Sequence, residues 1–466
     1  MKLRFLFIAA FWALLLTTAC KNDEISFDQP SKDLRFSRDT VFCDTIYNQV
    51  RSETYAFKVY NTENKDVIIP NISLKGGTSS PYRINVDGKA GTDFQNIPLR
   101  KKDSLYVFIE IAPVANAKEA IAEDQVVFEG GSLNQHVTLL SVVQDAEFFI
   151  ESKTNPNIVS QNTVWTNSKA KIIYGDLTVA EGKELQIQKG TKVYFTKNSG
   201  MKISKNAKLT IEGTLNDEVV LRGDRNDLKY DTIPLNWNGI RFEEGSKLSM
   251  NYARVFGGTT GFTLNKAEAT IQNSFIHTFQ NYGIEAVQSV VKAENLVMNN
   301  CGNANVGLFA GSTADFTHVT LANYWRLNSS LPGLSLVASN EWKNATGKTL
   351  TGDIKLNLKN SIVYGVNSNS ILFSPKSGQN FNYTITNSLL KYTDQAGFVF
   401  DGNPNVINSL KNEDPKFLFP YISKMNMRLG EGSPAKNKGN VTIANTVPKD
   451  LVGISRTLNP SLGAYQ

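Results

Sequence analysis

Leu177-Thr-Val179, Leu185-Gln-Ile187, Val193-Tyr-Phe195, Met201-Lys-Ile203 and Leu209-Thr-Ile211 follow one another at intervals of 8 residues. Each triplet has apolar side chains at its two ends, which a strand turns to one face. Three such strands close one turn of about 24 residues, a repeat length that marks stacked units sharing a core. The frame persists further on. Gly239-Ile240, Gly261-Phe262 and Gly283-Ile284 recur every 22 residues, and Asn273 and Asn295 keep the same spacing. Tyr252 stands 21 residues before Asn273, and His318 stands 23 after Asn295. A leucine-rich repeat of this length needs Leu-x-x-Leu-x-Leu spacing and helical backs, and neither is present. The spacing predicts a right-handed parallel β-helix over residues 155–410.

Asparagine usage fits that reading. The chain has 48 asparagines, 39 of them in residues 151–466. Asn273-Ser274, Asn295-Leu296, Asn360-Ser361 and Asn387-Ser388 fall at one corner of the repeat. An amide there can bond its equivalents above and below, and asparagine tolerates the left-handed backbone of a tight corner. Asn273, Asn295, Asn360 and Asn387 are therefore expected to form a structural ladder. Two insertions interrupt the repeat, at Arg222–Trp237 and Tyr324–Asp353. Insertions in such coils project from one face, often the binding face. Tyr230, Trp237, Tyr324, Trp325 and Trp342 lie in or beside them. Flat aromatics with amide and charged neighbours suit sugar rings, so these five are the candidate glycan-binding residues.

Residues 34–150 read as seven or eight short strands, the pattern of a β-sandwich. Tyr55-Ala-Phe-Lys-Val-Tyr60 alternates with period two, and Tyr82-Arg-Ile-Asn-Val86 runs into Asp87-Gly88, a hairpin turn signal. A helical patch is expected only near Ala115–Ala122. Cys43, in an alternating strand, reads as a buried thiol. Phe57-Lys-Val-Tyr-Asn61 and Lys102-Asp-Ser-Leu-Tyr-Val107 resemble immunoglobulin-like domains of the ASPM–hydin type, which implies a spacer or docking module. The whole chain is thus expected to be all-β.

The N-terminus reads as an address. Lys2 and Arg4 precede an apolar run from Phe5 to Leu16, followed by Thr17-Thr-Ala-Cys20. The run is short of the roughly 20 apolar residues that span a bilayer and has the layout of a secretory signal. It resembles a bacterial lipobox, with Thr17 where leucine is usual. The resemblance implies cleavage after residue 19, acylation of Cys20 and a tether over 20–33. Several acyl chains hold a protein on a membrane at about 0.8 kcal/mol per buried CH₂. Lys21-Asn-Asp-Glu24 is similar to the surface-export signal of Bacteroidota lipoproteins, which implies an outer-membrane, surface-exposed location.

The C-terminal segment 411–466 carries Ser433-Pro-Ala-Lys-Asn-Lys-Gly439, Asp450-Leu-Val-Gly-Ile-Ser-Arg456 and Leu462-Gly-Ala-Tyr465. With Trp237-Asn-Gly-Ile240 and the Asn-Ser corners, it resembles the secreted, pectate-lyase-like β-helix lipoproteins of Bacteroidota. The segment is expected to cap the open apolar end of the last coil.

Composition narrows the chemistry. A net charge of +6, from 49 basic and 43 acidic residues without a basic run, argues against nucleic acid as a partner. Three histidines and three cysteines, all scattered, build no closed zinc site, and no metal or cofactor is implied. A polysaccharide lyase or hydrolase would need clustered aspartates with a base, or paired carboxylates, at coil spacing on one face. Glu243, Glu244, Glu268, Glu285, Glu294 and Asp315 form no such column. The best enzymatic candidate is Asp224, Asp227 and Asp231 with Arg225 and Lys229 in the first insertion. Asp315 and His318 make a poor dyad, and His277 reads as a partly buried coil-edge residue. The sequence thus favours a tethered binder of an extracellular glycan or surface protein, with a uronate-cleaving enzyme and a structural rod as the alternatives.

Overall fold

The computed structural model describes residues 26–466 except 44–45, 48–51, 113–118, 153, 155, 226–227, 345 and 396. Cys20, the signal segment and the tetrad 21–24 lie outside the described residues. The chain divides into two compact units at Asp145/Ala146.

The first unit packs two sheets over one core. Tyr55–Tyr60, Ser104–Ile111 and Tyr82–Val86 pair antiparallel in one sheet, and Val67–Leu74, Glu119–Gly130 and Leu133–Gln144 do so in the other. Phe57, Val59, Ile69, Ile72, Val107, Val126 and Phe128 fill the interior between them. Alternation along each strand puts these residues on the inner faces. The Asp87-Gly88 turn forms as read, with φ of 51° and 78° at its two central residues, the left-handed pair a two-residue hairpin demands. The helical patch does not form over 119–122. Those residues belong to the strand Glu119–Gly130, whose whole length pairs with Leu133–Gln144.

The second unit is built on large parallel sheets, the arrangement a β-helix requires. Asp176–Val179, Glu184–Gln188 and Lys192–Phe195 make one coil. Leu177 pairs with Met201, Leu185 with Leu209 and Val193 with Leu221 on the next. One inward column runs Leu177, Met201, Ile240, Phe262, Ile284, Val306, Leu336, Ile371, each no more than 1% exposed. Each such side chain contributes about 1.5–3 kcal/mol of burial. The glycine frame has a steric cause: a Cβ on Gly239 would lie 1.6 Å from Thr260 O, and its φ is 109°. Ala146–Ile150, placed above with the first domain, instead pairs in parallel with Ala170–Tyr174. An alternating strand reads the same in either unit, and only the pairing decides.

The corner ladder forms in part. All four predicted members are left-handed, with φ of 47°, 50°, 47° and 46° at Asn273, Asn295, Asn360 and Asn387, but Asn387 Nδ2 reaches only Lys438 O and its Oδ1 has no partner. Asn295 Nδ2 donates to Asn273 Oδ1 at 2.8 Å, and Asn273 Nδ2 donates to Asn251 Oδ1 at 2.8 Å. His318 occupies the next corner (φ 53°) and takes the place of an asparagine. Its Nε2 accepts from Asn360 Nδ2 at 3.1 Å, and its Nδ1 donates to Gly463 O at 3.3 Å. That pair of partners fixes a neutral ring.

Lys411 and Asn412, the first residues of the C-terminal segment, pair with Leu390 and Tyr392 of the last coil, but the bulk of the segment is not placed over the end. It lies along the flank as a strap. Phe417, Met427, Leu429, Leu451, Leu462 and Tyr465 pack on the outward side chains of Val297, Ile362, Tyr364 and Leu389. The strap also completes the ladder. Asn295 Nδ2 donates to Lys449 O at 2.9 Å, Asn360 Nδ2 to Asn440 O at 3.0 Å and Asn387 Nδ2 to Lys438 O at 3.3 Å. Arg456, fully buried, donates to Asn295 Oδ1 at 2.6 Å, Lys449 O at 2.7 Å and Gly463 O at 3.0 Å. Aromatic side chains cluster at the last coils. Phe373 meets Phe381, Tyr383 and Phe398 at 5.3, 5.3 and 5.2 Å between ring centres.

Candidate functional site: a cationic cleft on the flank

Two outward columns run up the broad parallel sheet. The first is Lys192, Val220, Arg254, Phe275, Val297, Thr320, Ile362, Leu389. The second contains Tyr194 and Arg222, then Phe256, His277 and Asn299. From Phe275 onward the strap contacts the first column. Before it, the sheet face opens into a cleft of about 490 Å³. Its far wall is the strap at Ile422–Met425, and Asp231 and Thr232 of the first insertion line it too.

Four cations line this cleft: Lys192, Arg222, Arg254 and Lys424. Asp231 is the one carboxylate among its lining residues, and it pairs with Arg222 at 2.7 Å. Burial holds the Asp231 carboxyl above its ordinary range, and Arg222 and Arg254 work against that. The floor is aromatic. The Phe256 and His277 rings stack at 4.8 Å with planes 7° apart, and the Arg222 guanidinium lies 5.3 Å from the Phe256 ring centre. Burial, and then Arg254, pushes the His277 ring down to about 3, so it is neutral. A second hollow of about 390 Å³ shares Arg254 and Lys424 and adds Arg428 and Glu218. Guanidinium and ammonium groups over an apolar floor can hold carboxylate, sulfate or hydroxyl oxygens while the floor excludes water.

The five candidate aromatics do not come together. Trp237 is a core residue: it is 1% exposed, stacks on Phe195 at 4.2 Å and donates through Nε1 to Phe256 O at 2.8 Å. Trp325 is buried and donates to Asn328 O at 2.8 Å. Neither is open to a sugar. Tyr324 sits edge-on to Tyr421 and Phe417 of the strap, at 5.7 and 6.4 Å. Tyr230 lies beneath the Arg225 guanidinium at 4.2 Å. Trp342 stands on a hairpin over the opposite, narrower sheet and donates to Glu285 Oε1 at 3.3 Å. That hairpin overhangs a hollow of about 400 Å³, with Lys202, Arg241 and Lys348 in its lining.

Of the carboxylates in the first insertion, one has a defined partner. Asp231 turns to Arg222, and Asp227 lies outside the described residues. Among the described residues no group of three or more histidines, cysteines or acids is placed to hold a metal. Asp315 pairs with Lys359 at 2.6 Å, while the His318 ring bonds Asn360 and Gly463. Cys43 and Cys301 are both buried thiols. No helix among the described residues is long and apolar enough to cross a membrane.

Lys192, Arg222, Arg254 and Lys424 were not singled out by sequence. Arg222 and Arg254 stand on successive coils, yet the first insertion separates them by more than the repeat length and hides their register. Outward cations next to aromatics on a coil frame were the available signal.

No family model matches this chain, and no curated protein matches it. Among solved structures, a family 123 glycoside hydrolase from Clostridium perfringens, described for glycolipid glycan hydrolysis, is similar at 11% identity with a TM-score of 0.19. The match covers 28% of this chain and 26% of that one. It is too slight to bear on fold or activity.

Proposed function

We propose that this chain is a lipoprotein, acylated at Cys20 and displayed on an outer membrane, whose second unit binds an extracellular glycan. In this reading the parallel coil is right-handed, as crossovers between parallel strands of L-residues overwhelmingly are. The first unit is an immunoglobulin-like stalk. One observation carries the binding role: Lys192, Arg222, Arg254 and Lys424 line one cleft with a single facing carboxylate, over an aromatic floor. The site therefore suits a saccharide with acidic groups better than a neutral one.

A glycan array probed with the full chain tests the binding. Acidic glycans are expected to be retained and to wash off as salt rises. Arg254→Gln should lower that signal several-fold. An array blank for all glycans ends the binding reading. Metabolic labelling with a fatty acid tests the anchor: label should enter the wild type and be missing from Cys20→Ala.

A further inference from the structure

The cleft contains one polar atom whose surroundings demand a partner. His277 is 5% exposed, and its Nε2 is buried without a hydrogen bond. Its other nitrogen, Nδ1, lies 2.9 Å from Thr278 Oγ1. Thr278 Oγ1 in turn accepts from Asn300 Nδ2 at 3.3 Å, across 22 residues of chain. An amide nitrogen only donates, so the hydroxyl oxygen is the acceptor there and its hydrogen is free to point at Nδ1. Nδ1 is the one acceptor beside that hydrogen among the described residues, so donation to Nδ1 pairs the buried hydroxyl and leaves the ring hydrogen on Nε2. The result is a buried donor with no acceptor, which ordinarily costs a fold free energy.

Thr278 itself is out of place by the rules of local structure. Its φ is 62°, in a corner column where its neighbours are Gly257 (φ 83°) and Asn300 (φ 58°). Glycine and asparagine adopt that backbone readily, and a β-branched residue does not. What threonine adds over glycine is the hydroxyl that orients His277. Strain maintained in this way concentrates at functional positions.

We propose that the Asn300–Thr278–His277 relay is a specificity element of the cleft, presenting Nε2–H to an oxyanion, either a carboxylate or a sulfate ester, on the bound saccharide. This rests on the glycan-binding reading and names the chemistry that reading selects. The charged groups around the ring agree with it. Arg254 and Arg222 approach from neighbouring coils and Lys424 from the strap, while Asp231 is occupied by Arg222. An anion entering the cleft comes into a field of cations with the neutral His277 ring in its lining, and reaches Nε2–H by displacing the side chains that now cover it.

Calorimetry on the full chain with three tetrasaccharides tests this: a heparin-derived one, tetragalacturonate and neutral cellotetraose. The wild type should prefer one or both of the anionic probes, and their ranking distinguishes sulfate from carboxylate. His277→Phe keeps a ring on Phe256 but removes the donor, and should weaken anionic binding about tenfold or more with little change for cellotetraose. His277→Gln restores an N–H and should recover most of the loss. Thr278→Gly separates this from a structural role. It relieves the left-handed strain but takes the acceptor from Asn300 Nδ2, two opposed effects that should leave the melting temperature within a few degrees, yet anionic affinity should fall about threefold or more. The relay is overturned if Thr278→Gly leaves anionic affinity intact, if His277→Phe weakens all probes alike, or if cellotetraose is the preferred ligand. In that last case glycan binding itself survives. A blank array together with no heat from any probe removes both.

Discussion

One column of outward side chains on the broad sheet meets two fates. Val297, Ile362 and Leu389 are 1%, 0% and 0% exposed beneath the strap. Lys192, Val220 and Arg254 continue the same column on earlier coils and are left facing a cleft. The backbone is alike in both stretches, and side-chain chemistry makes the difference. Where the column is aliphatic, the chain covers it with its own apolar segment. Where it is charged, covering would strand unpaired cations, which costs more than the contact returns. The open stretch is therefore the part of the flank available to something other than this chain.

The sharpest way to break that comparison is to unfasten the strap. Arg456→Ala removes three bonds of a buried guanidinium and leaves Asn295 Oδ1 and two carbonyls without it. We expect a loss of about 3 kcal/mol or more in urea unfolding, with faster amide exchange over 449–465. Unchanged exchange there would mean that the ladder does not hold the strap. Leu389→Ala, under the strap, should cost about 3 kcal/mol by leaving a cavity.

Acid should also loosen the fold. His318 and His277 are held neutral, each pushed from 6.5 down to about 3 chiefly by burial. Below pH 6.5 the unfolded chain takes up protons that the folded chain refuses. Their contribution is thus complete above 6.5 and drains away as pH falls toward 3. Between pH 7.5 and 5 each histidine should withdraw about 2 kcal/mol of stability. His318→Asn, which puts an amide back into the ladder, should remove its share of that slope in urea melts at the two pH values. An unaltered slope would show that the ring is not sealed under the strap.

Smaller effects sharpen the contrast. Asn273→Ala loses one rung of the ladder and forces alanine into a left-handed corner, for about 1–2 kcal/mol, and Asn273→Gly should cost less. Lys192→Ala, in the open stretch, should change stability by no more than about 0.5 kcal/mol. A loss there as large as that of Leu389→Ala would erase the distinction between the two stretches.

Much of the coil was legible because its physics is periodic. Strands at 8-residue intervals, the glycines at 22 and the corner asparagines each record a steric or hydrogen-bonding demand that recurs with every turn. Trp237 was misread for a local reason. It borders the first insertion, and that position alone puts it among the binding aromatics, whereas the indole turns in to stack on Phe195 and bond Phe256 O. The strap was illegible as a strap because its contacts follow no period. Arg456 reaches Asn295 across 161 residues, and nothing in either neighbourhood announces the other. The cleft inherits that difficulty, since one wall is the strap and an insertion displaces the register of its cations.

The two kinds of contact also differ in how they come into being. Neighbouring coils meet across 22 residues, as Asn273 meets Asn251, so each turn can zip onto the one before while the chain is still emerging. Gly463 meets His318 across 145 residues, a far longer loop to close. Until the strap docks, a partly made chain exposes the apolar side of its later coils and lacks one wall of the cleft. The coils can therefore be wound before the cleft exists, and its far wall arrives only with the last long-range contact to close.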